Sequence, residues 1–359
     1  MSLNIKDGGT VRRTQFRSIS AVMAAAFVVT ACSESSTGPD PDGEAGQITV
    51  NANQVWAYVT FDGGVASVVN VTDPSTSTAW DIAFNGTAVM LNGGAAGPGD
   101  VAAYCVCQNR DATDAQVQGF TSENQRAAFE AVGPAQLPAA DTAWKSDALA
   151  LAITGWYRYD VATHTVTAAP GQSFYVRTSG GNAYAKFHVT AIEGATQGTP
   201  GRVTFEYAVQ PSSGAGMGEA ATHTVDVPAG GRVAFDFETD TETETGWDIA
   251  FEGYQIRVNG GVSGSGSAAA VALTDPFESL DDASGVPATA YRADAFGGVF
   301  NTHRWYRYNL TGQDHQIWPT FDVYLLRKGD AVYKLQLINY YNAAGDARHI
   351  TFRYAQVGS

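Results

Sequence analysis

The sequence predicts an all-β protein made of two tandem β-rich domains, with long loops and at most short helices. Three observations predict it. First, the stretch TAWDIAFNGTAVMLNGGAAGPG (78–99) returns as TGWDIAFEGYQIRVNGGVSGSG (245–266). Second, Trp, Ile and Phe alternate with small or polar residues in both copies (Trp80, Ile82, Phe84; Trp247, Ile249, Phe251). A period of two in aromatic and β-branched residues is the pattern of a half-buried strand. Third, 39 Gly, 17 Phe and 16 Tyr accompany few stretches of helical period, which is all-β composition.

In chain order, residues 1–31 read as a lipoprotein signal peptide. Arg12, Arg13 and Arg17 form a basic region, Ile19 to Val29 an apolar one, and Thr30-Ala31 leads into Cys32. The apolar run is too short to span a bilayer. Cys32 is the expected lipidation site, the alternative being ordinary secretion with an unmodified Cys32. Residues 32–46, rich in Ser, Gly, Pro and acids, are expected to be a flexible tether. Ser33 after the Cys favours an outer-membrane or cell-surface location.

The whole chain carries a net charge of −15. Residues 1–31 hold Lys6, Arg12, Arg13 and Arg17 against Asp7, so the chain from Cys32 carries −18. This balance argues against nucleic acid as a partner and leaves the lipid anchor as the membrane contact.

Residues 47–210 are expected to be the first domain, 211–218 a linker, and 219–359 the second. Ile48 to Val71 reads as two or three strands, turned at Asp62-Gly63-Gly64, and His223 to Phe237 is its counterpart. Trp80 and Trp247 read as core plugs, with Asp81 and Asp248 facing away from them. Asn92-Gly93-Gly94 and Asn259-Gly260-Gly261 read as tight turns. The long connection from Asp100 to Gly155 is expected to hold a short helix over Gln125 to Val132, capped by Ser122 and ended by Gly133-Pro134. Its counterpart, Asp275 to Phe300, reads as loop with a turn of helix at Pro276 to Leu280. Cys105 and Cys107 are two residues apart, either buried thiols or a bridge; a metal reading needs further ligands, and none sits at finger-like spacing.

The repeat continues. Trp156-Tyr157-Arg158-Tyr159 recurs as Trp305-Tyr306-Arg307-Tyr308, followed by His164 and Pro170 or by His315 and Pro319. FYVRTSGGNAYAKFHV (174–189) matches VYLLRKGDAVYKLQLI (323–338) with Lys186 on Lys334, and Thr204-Phe205-Glu206-Tyr207 matches Thr351-Phe352-Arg353-Tyr354. In these residues the chain resembles the HmuY family of bacterial haem-binding surface lipoproteins, in tandem duplicate. The resemblance implies a β-rich fold that grips haem between loops through two axial His or Met ligands. It implies haem or a haem-carrying protein as partner, and an outer-membrane transporter as a further one.

The chain departs from that pattern. Nothing between Met90 and His164 is a His or Met, and the second long connection offers only His303 at its end. No nucleophile elbow, zinc-protease motif or Cys–His pair is present, so an enzyme is not expected. The candidate haem ligands are His315 and His303 in the second repeat and His164 in the first. His164 and His315 are the repeated pair, which implies either a repeated structural bond or a repeated ligand role. The competing expectation is a duplicated β-module that binds a glycan or protein partner without haem.

Overall fold

The computed structural model describes residues 45–53 and 55–358. The signal peptide, Cys32 and the tether to residue 44 lie outside the described residues. The first repeat contributes β1 (Gly46–Asn51), β2 (Ala57–Asp62), β3 (Val65–Val69), β4 (Ile82–Asn85), β5 (Ala88–Leu91), β6 (Ala102–Cys105), β7 (Ala148–Ala150), β8 (Tyr157–Asp160), β9 (Thr165–Ala168), β10 (Ser173–Arg177), β11 (Tyr184–Glu193) and β12 (Gly201–Gln210). The second contributes β13 (Ala221–Val227), β14 (Arg232–Asp236), β15 (Thr241–Glu242), β16 (Ile249–Glu252), β17 (Gln255–Val258), β18 (Ala269–Leu273), β19 (Ala295–Gly297), β20 (Tyr306–Tyr308), β21 (Ile317–Pro319), β22 (Val323–Lys328), β23 (Ala331–Tyr341) and β24 (Ala347–Gln356). The helices are short: α1 (Asp114–Gln118), α2 (Arg126–Glu130) and α3 (Val299–Thr302). The chain is therefore all-β, as its alternation and composition predict. No helix among the described residues is long and apolar enough to cross a membrane.

The strands pair in two equivalent sets. One five-stranded sheet runs β1-β24-β23-β22-β6 and the other β13-β12-β11-β10-β18. Each faces a four-stranded sheet, β3-β2-β4-β5 or β15-β14-β16-β17. The first core joins Ile82, Phe84 and Leu91 to Trp305, Tyr324, Leu335 and Phe352. The second joins Trp156, Phe174, Phe187 and Phe205 to Phe235, Ile249, Phe251 and Val258. The two repeats, tandem in sequence, thus exchange halves in space. The opening half of each repeat closes the core of the other's final half.

The crossing is visible at β7 and β19, which pair antiparallel with each other, Ala150 opposite Ala295. Just before them, Asp147 accepts from Leu91 N–H (2.8 Å) and Asp294 from Val258 N–H (3.1 Å). Each acid thereby fastens the crossing strand to its own repeat. The Asn-Gly-Gly stretches serve this junction. A Cβ on Gly94 would stand 2.1 Å from Asp147 O, and one on Gly261 1.9 Å from Asp294 O; both glycines have positive φ, +67° and +64°. The glycines are needed for close backbone approach as well as for turning. Asn92, expected in a turn, is buried, and its amide donates to Ser77 O and Trp80 O.

Other expectations shift in detail. Residues 211–218, expected as a linker, lie in the loop between β12 and β13, which are direct neighbours in one sheet. The buried Gln210 ties that loop down, donating to Ala215 O (2.6 Å) and Asp282 (2.8 Å) and accepting from Ala283 N–H (3.0 Å). Trp80 is fully buried but packs with Ala83, Met90 and Ala96, apart from Ile82 and Phe84, because β4 starts only at Ile82. Asp81 and Asp248 are buried and accept backbone N–H bonds from Phe61 (2.6 Å) and Phe237 (3.0 Å).

The helix expected over Gln125 to Val132 is shorter, and Ser122 does not cap it; the Ser122 carbonyl instead accepts from Arg353. Lys334, matched to Lys186 in sequence, caps that segment's carbonyls at Phe129 and Val132 (3.0 and 2.7 Å). Lys186 likewise reaches Phe277 O (3.1 Å), beside a 3₁₀ turn at Phe277–Ser279. Cys105 and Cys107 form a disulfide with Cα atoms 5.0 Å apart. Cys107 has left the strand, at φ +55°, which closes the 6.5–7 Å separation that an extended strand would impose.

Candidate functional site

His164 stands at the tip of the β8–β9 hairpin. The Asp160 carboxylate accepts from Ala162 N–H (2.8 Å) and Thr163 N–H (3.1 Å), an Asx turn that lets the chain reverse. Those bonds, Thr163's first, hold its carboxyl below the usual range. His164 itself adopts φ +56°. Its Nδ1 lies 2.7 Å from the Tyr159 hydroxyl, which orients the ring and leaves Nε2 without a partner among the described residues.

Behind the hairpin, Tyr157 and Tyr254 lie with ring centroids 5.0 Å apart. The Tyr254 hydroxyl reaches Thr196 O (2.6 Å) and Thr199 O (3.0 Å), and burial, then Tyr157, raises its pKa. Together with Tyr159, His164 and Val166 these rings line an open cleft of about 550 Å³. Tyr254 belongs to the second repeat and His164 to the first. The exchange of halves builds the cleft.

The equivalent hairpin, β20–β21, repeats the bond but not the cleft wall. His315 has φ +51° and its Nδ1 lies 2.8 Å from the Tyr308 hydroxyl. The histidines therefore share a structural bond, the first of the two roles that repetition implies. Opposite them the sequence differs: FEGYQIRV has Tyr254 where FNGTAVML has Thr87. Trp305 donates to Thr87 O (2.9 Å), and the Tyr341 hydroxyl accepts from Ile317 N–H (3.0 Å).

His303 sits elsewhere, at the C-terminal end of α3. Arg110 comes within 3.1 Å of its Nδ1, and the ring lies beside the Cys105–Cys107 bridge. Burial, then the Arg110 charge, lowers its pKa. His303 lines two adjoining cavities of about 460 and 570 Å³, both also lined by Cys107 and Arg110. It shares neither lining nor bond with His164 or His315 among the described residues.

The remaining histidines have local roles. His188 stacks on Phe277 (4.3 Å) and pairs with Glu206 (3.2 Å), His223 lies between Asp240 and Glu242 (3.3 and 3.5 Å), and His349 meets the carbonyl of Ala347 (3.1 Å). Tyr254 and Arg110 were not singled out from sequence. The Tyr254/Thr87 difference between otherwise matching strands is the signal that marks the first.

The model of the HmuY protein family matches residues 52–207 and 229–354, well over half of the 359-residue chain. The chain belongs to the HmuY family. No curated protein matches it. Among solved structures, a candidate lipoprotein of Bacteroides fragilis is similar at 12% identity, covering 88% of this chain and 92% of that one, with TM-score 0.28. A candidate HmuY-like haem-binding protein of Bacteroides vulgatus is 18% identical over 34% of this chain and 84% of its own, with TM-score 0.16. The apo HmuY analogue of Tannerella forsythia is 14% identical over 60% of this chain and 96% of its own, with TM-score 0.17. Membership of the HmuY family rests on the two sequence matches, and at these TM-scores no superposition adds to it.

Proposed function

We propose that this HmuY-family protein is an exported, non-enzymatic binder of haem or a related porphyrin for uptake, and that the cleft at His164 is its site. The observation that carries this is the pairing of an imidazole Nε2 that has no partner among the described residues with an aromatic wall, Tyr157 and Tyr254, around a cleft of about 550 Å³. These residues fit the group. Imidazole is an axial ligand of haem iron, and the Tyr159 bond at Nδ1 fixes which nitrogen is offered. A bound haem would supply iron for His164 Nε2 and a flat apolar face for the tyrosine rings. The cleft offers one imidazole and no methionine, so the two-ligand His/Met set that the resemblance implies is not assembled there; His315 and His303 are not part of it.

Anchoring through a lipidated Cys32 at the outer membrane or cell surface is part of this reading, supported by the basic, apolar and small-residue order of residues 1–31. A haem-carrying protein and an outer-membrane transporter are the partners it implies. Nucleic acid is excluded from it by the acidic charge.

The test is a haemin titration followed by visible absorption in the oxidised and reduced states. His164→Ala is expected to weaken binding by about 10-fold or more, equivalent to about 1.4 kcal/mol, and His315→Ala to leave it unchanged. A flat titration of the wild-type protein overturns the reading. The row of tyrosines is also a stacking platform for a sugar ring, so a glycan array on the same protein examines the second reading, a β-module without haem.

A further inference from the structure

We propose that Cys105, Cys107 and His303 form a binding site for a thiophilic divalent cation of the zinc type, open only when the Cys105–Cys107 disulfide is reduced. The two sulfurs and a ring nitrogen of His303 all lie within 4.8 Å of one another. In a tetrahedral zinc site with Zn–S bonds of ~2.3 Å, two sulfurs stand about 3.7 Å apart. Opening the bridge therefore brings the pair to ligand spacing by side-chain rotation, with no movement of the strand.

His303 is held in place by the fold. Its N–H donates to Val299 O (2.8 Å), and its carbonyl accepts from the Tyr324 hydroxyl (2.7 Å). The adjoining cavities leave room for a fourth ligand, water or a small anion.

The cysteines are not there to hold the fold. The equivalent strand, β18, has Ala272 opposite Phe174 where β6 has Cys105 opposite Tyr324, and it joins its sheet without sulfur. Sequence spacing could not reveal the set, because His303 lies far along the chain and arrives through the exchange that places α3 against β6. The two repeats do not share the site.

The chemistry balances with a dithiol as reductant. The dithiol delivers two electrons and two protons, the Cys105–Cys107 S–S bond breaks to two thiols, and the reductant's sulfurs join as its own disulfide. The cation then displaces the two thiol protons and accepts the lone pair of His303. Arg110, now hydrogen-bonded to that ring, competes with the cation for the nitrogen lone pair and adds a like charge beside it.

The experiment uses the purified protein, oxidised or reduced with dithiothreitol that is then removed anaerobically, and titrates Co(II) alone, with Zn(II) as competitor. The reduced protein is expected to bind one Co(II) with a thiolate-to-cobalt charge-transfer band that Zn(II) abolishes, and the oxidised protein to show none. His303→Ala should weaken the reduced site by about 10-fold or more, and Arg110→Ala should tighten it. Far-UV circular dichroism of each variant in the oxidised state checks the fold, and the Cys105→Ser/Cys107→Ser double variant should lose the band. No band on reduction overturns the proposal. So does Co(II) binding without sulfur character, or a band that His303→Ala leaves at full affinity.

Discussion

The hairpins that carry His164 and His315 share the same dihedral signature and the same Tyr–His bond, 2.7 Å in one and 2.8 Å in the other. Their surroundings diverge at one wall. Around His164 the second repeat supplies Tyr254, while around His315 the first repeat supplies Thr87, and Tyr341 bonds directly to β21. The histidine-bearing turn is present in both copies, and the Tyr157–Tyr254 wall in one. The cleft is therefore a property of the exchanged pair, because neither repeat lines it alone.

The most severe test of that comparison removes half of the chain. Residues 148–294 hold the sheets β13-β12-β11-β10-β18 and β15-β14-β16-β17, the β8–β9 hairpin and the whole core of Trp156, Phe205 and Phe251. Produced alone, this segment is expected to fold, melt cooperatively and bind haemin as the full chain does. An unfolded 148–294 segment would show that the opening half of each repeat closes on its own final half in solution.

A point substitution asks the same question with a smaller effect. Phe251 is fully buried, stacks on Phe205 (5.7 Å) and meets Trp156 edge-on (6.0 Å). Phe251→Ala should destabilise that core by about 3–5 kcal/mol and loosen the cleft at His164, although Phe251 lies in the other repeat. Phe84→Ala, its equivalent, should destabilise the core beneath His315 by a similar amount and leave haemin affinity intact. Thermal melts with haemin titrations distinguish the two; a reversed pattern would mean the repeats are closed rather than exchanged.

Smaller still is the wall itself. Tyr254→Thr, which copies Thr87, should lower haemin affinity by about 5- to 10-fold, the worth of one aromatic contact of about 1 kcal/mol, without moving the melting temperature of the first core. An unchanged affinity would remove Tyr254 from the receptor.

How much of this was legible in the sequence follows from what sequence patterns encode. Alternation at Ile82, Phe84, Ile249 and Phe251 announces strands, because side chains in a strand point to opposite faces with period two. The paired motifs announce two equivalent units. Neither says which half of a repeat packs on which. That choice depends on a few residues at the crossing, Asp147, Asp294 and the glycines against which they dock. Asn-Gly-Gly reads locally as a turn, and only the partner backbone reveals the second demand on it. The same blindness applies to the sites. His164 and His315 were legible as a repeated pair, whereas the Tyr254 wall and the approach of His303 to Cys105 and Cys107 come from segments distant in sequence. The disulfide stayed open between two readings because strand geometry alone places residues two apart too far for comfort, and the local turn at Cys107 decides it.

A last contrast lies in the buried acids and their pH response. Asp81 is partnered by Lys328 (2.9 Å), whereas Asp248 faces no lysine and takes the N–H groups of Ser179 (2.6 Å) and Phe237 (3.0 Å). Burial pushes the Asp248 carboxyl up to about 6 in spite of those bonds. An acid whose folded pKa exceeds that of the unfolded chain binds protons more tightly when folded. Between pH 4 and 6 the native state therefore holds the extra proton, so stability rises as pH falls through about 6 and declines as pH rises. The window is set by the ordinary carboxyl value of 3.8 and the raised one. Asp147, at the crossing, is also raised by burial to about 6 and acts in the same direction on the other core. Each group contributes on the order of 1–3 kcal/mol across that window. Asp248→Asn keeps an acceptor oxygen and removes the titration, so the gain in melting temperature between pH 7 and pH 5 should shrink in the 148–294 segment. Asp81→Asn, which takes the carboxylate from the Lys328 ammonium and leaves it the Phe61 carbonyl (3.1 Å), should instead destabilise the full chain at pH 7. If Asp248→Asn leaves the pH profile as it is in the wild type, burial does not raise that acid, and if Asp81→Asn leaves stability at pH 7 unchanged, the lysine is an incidental neighbour.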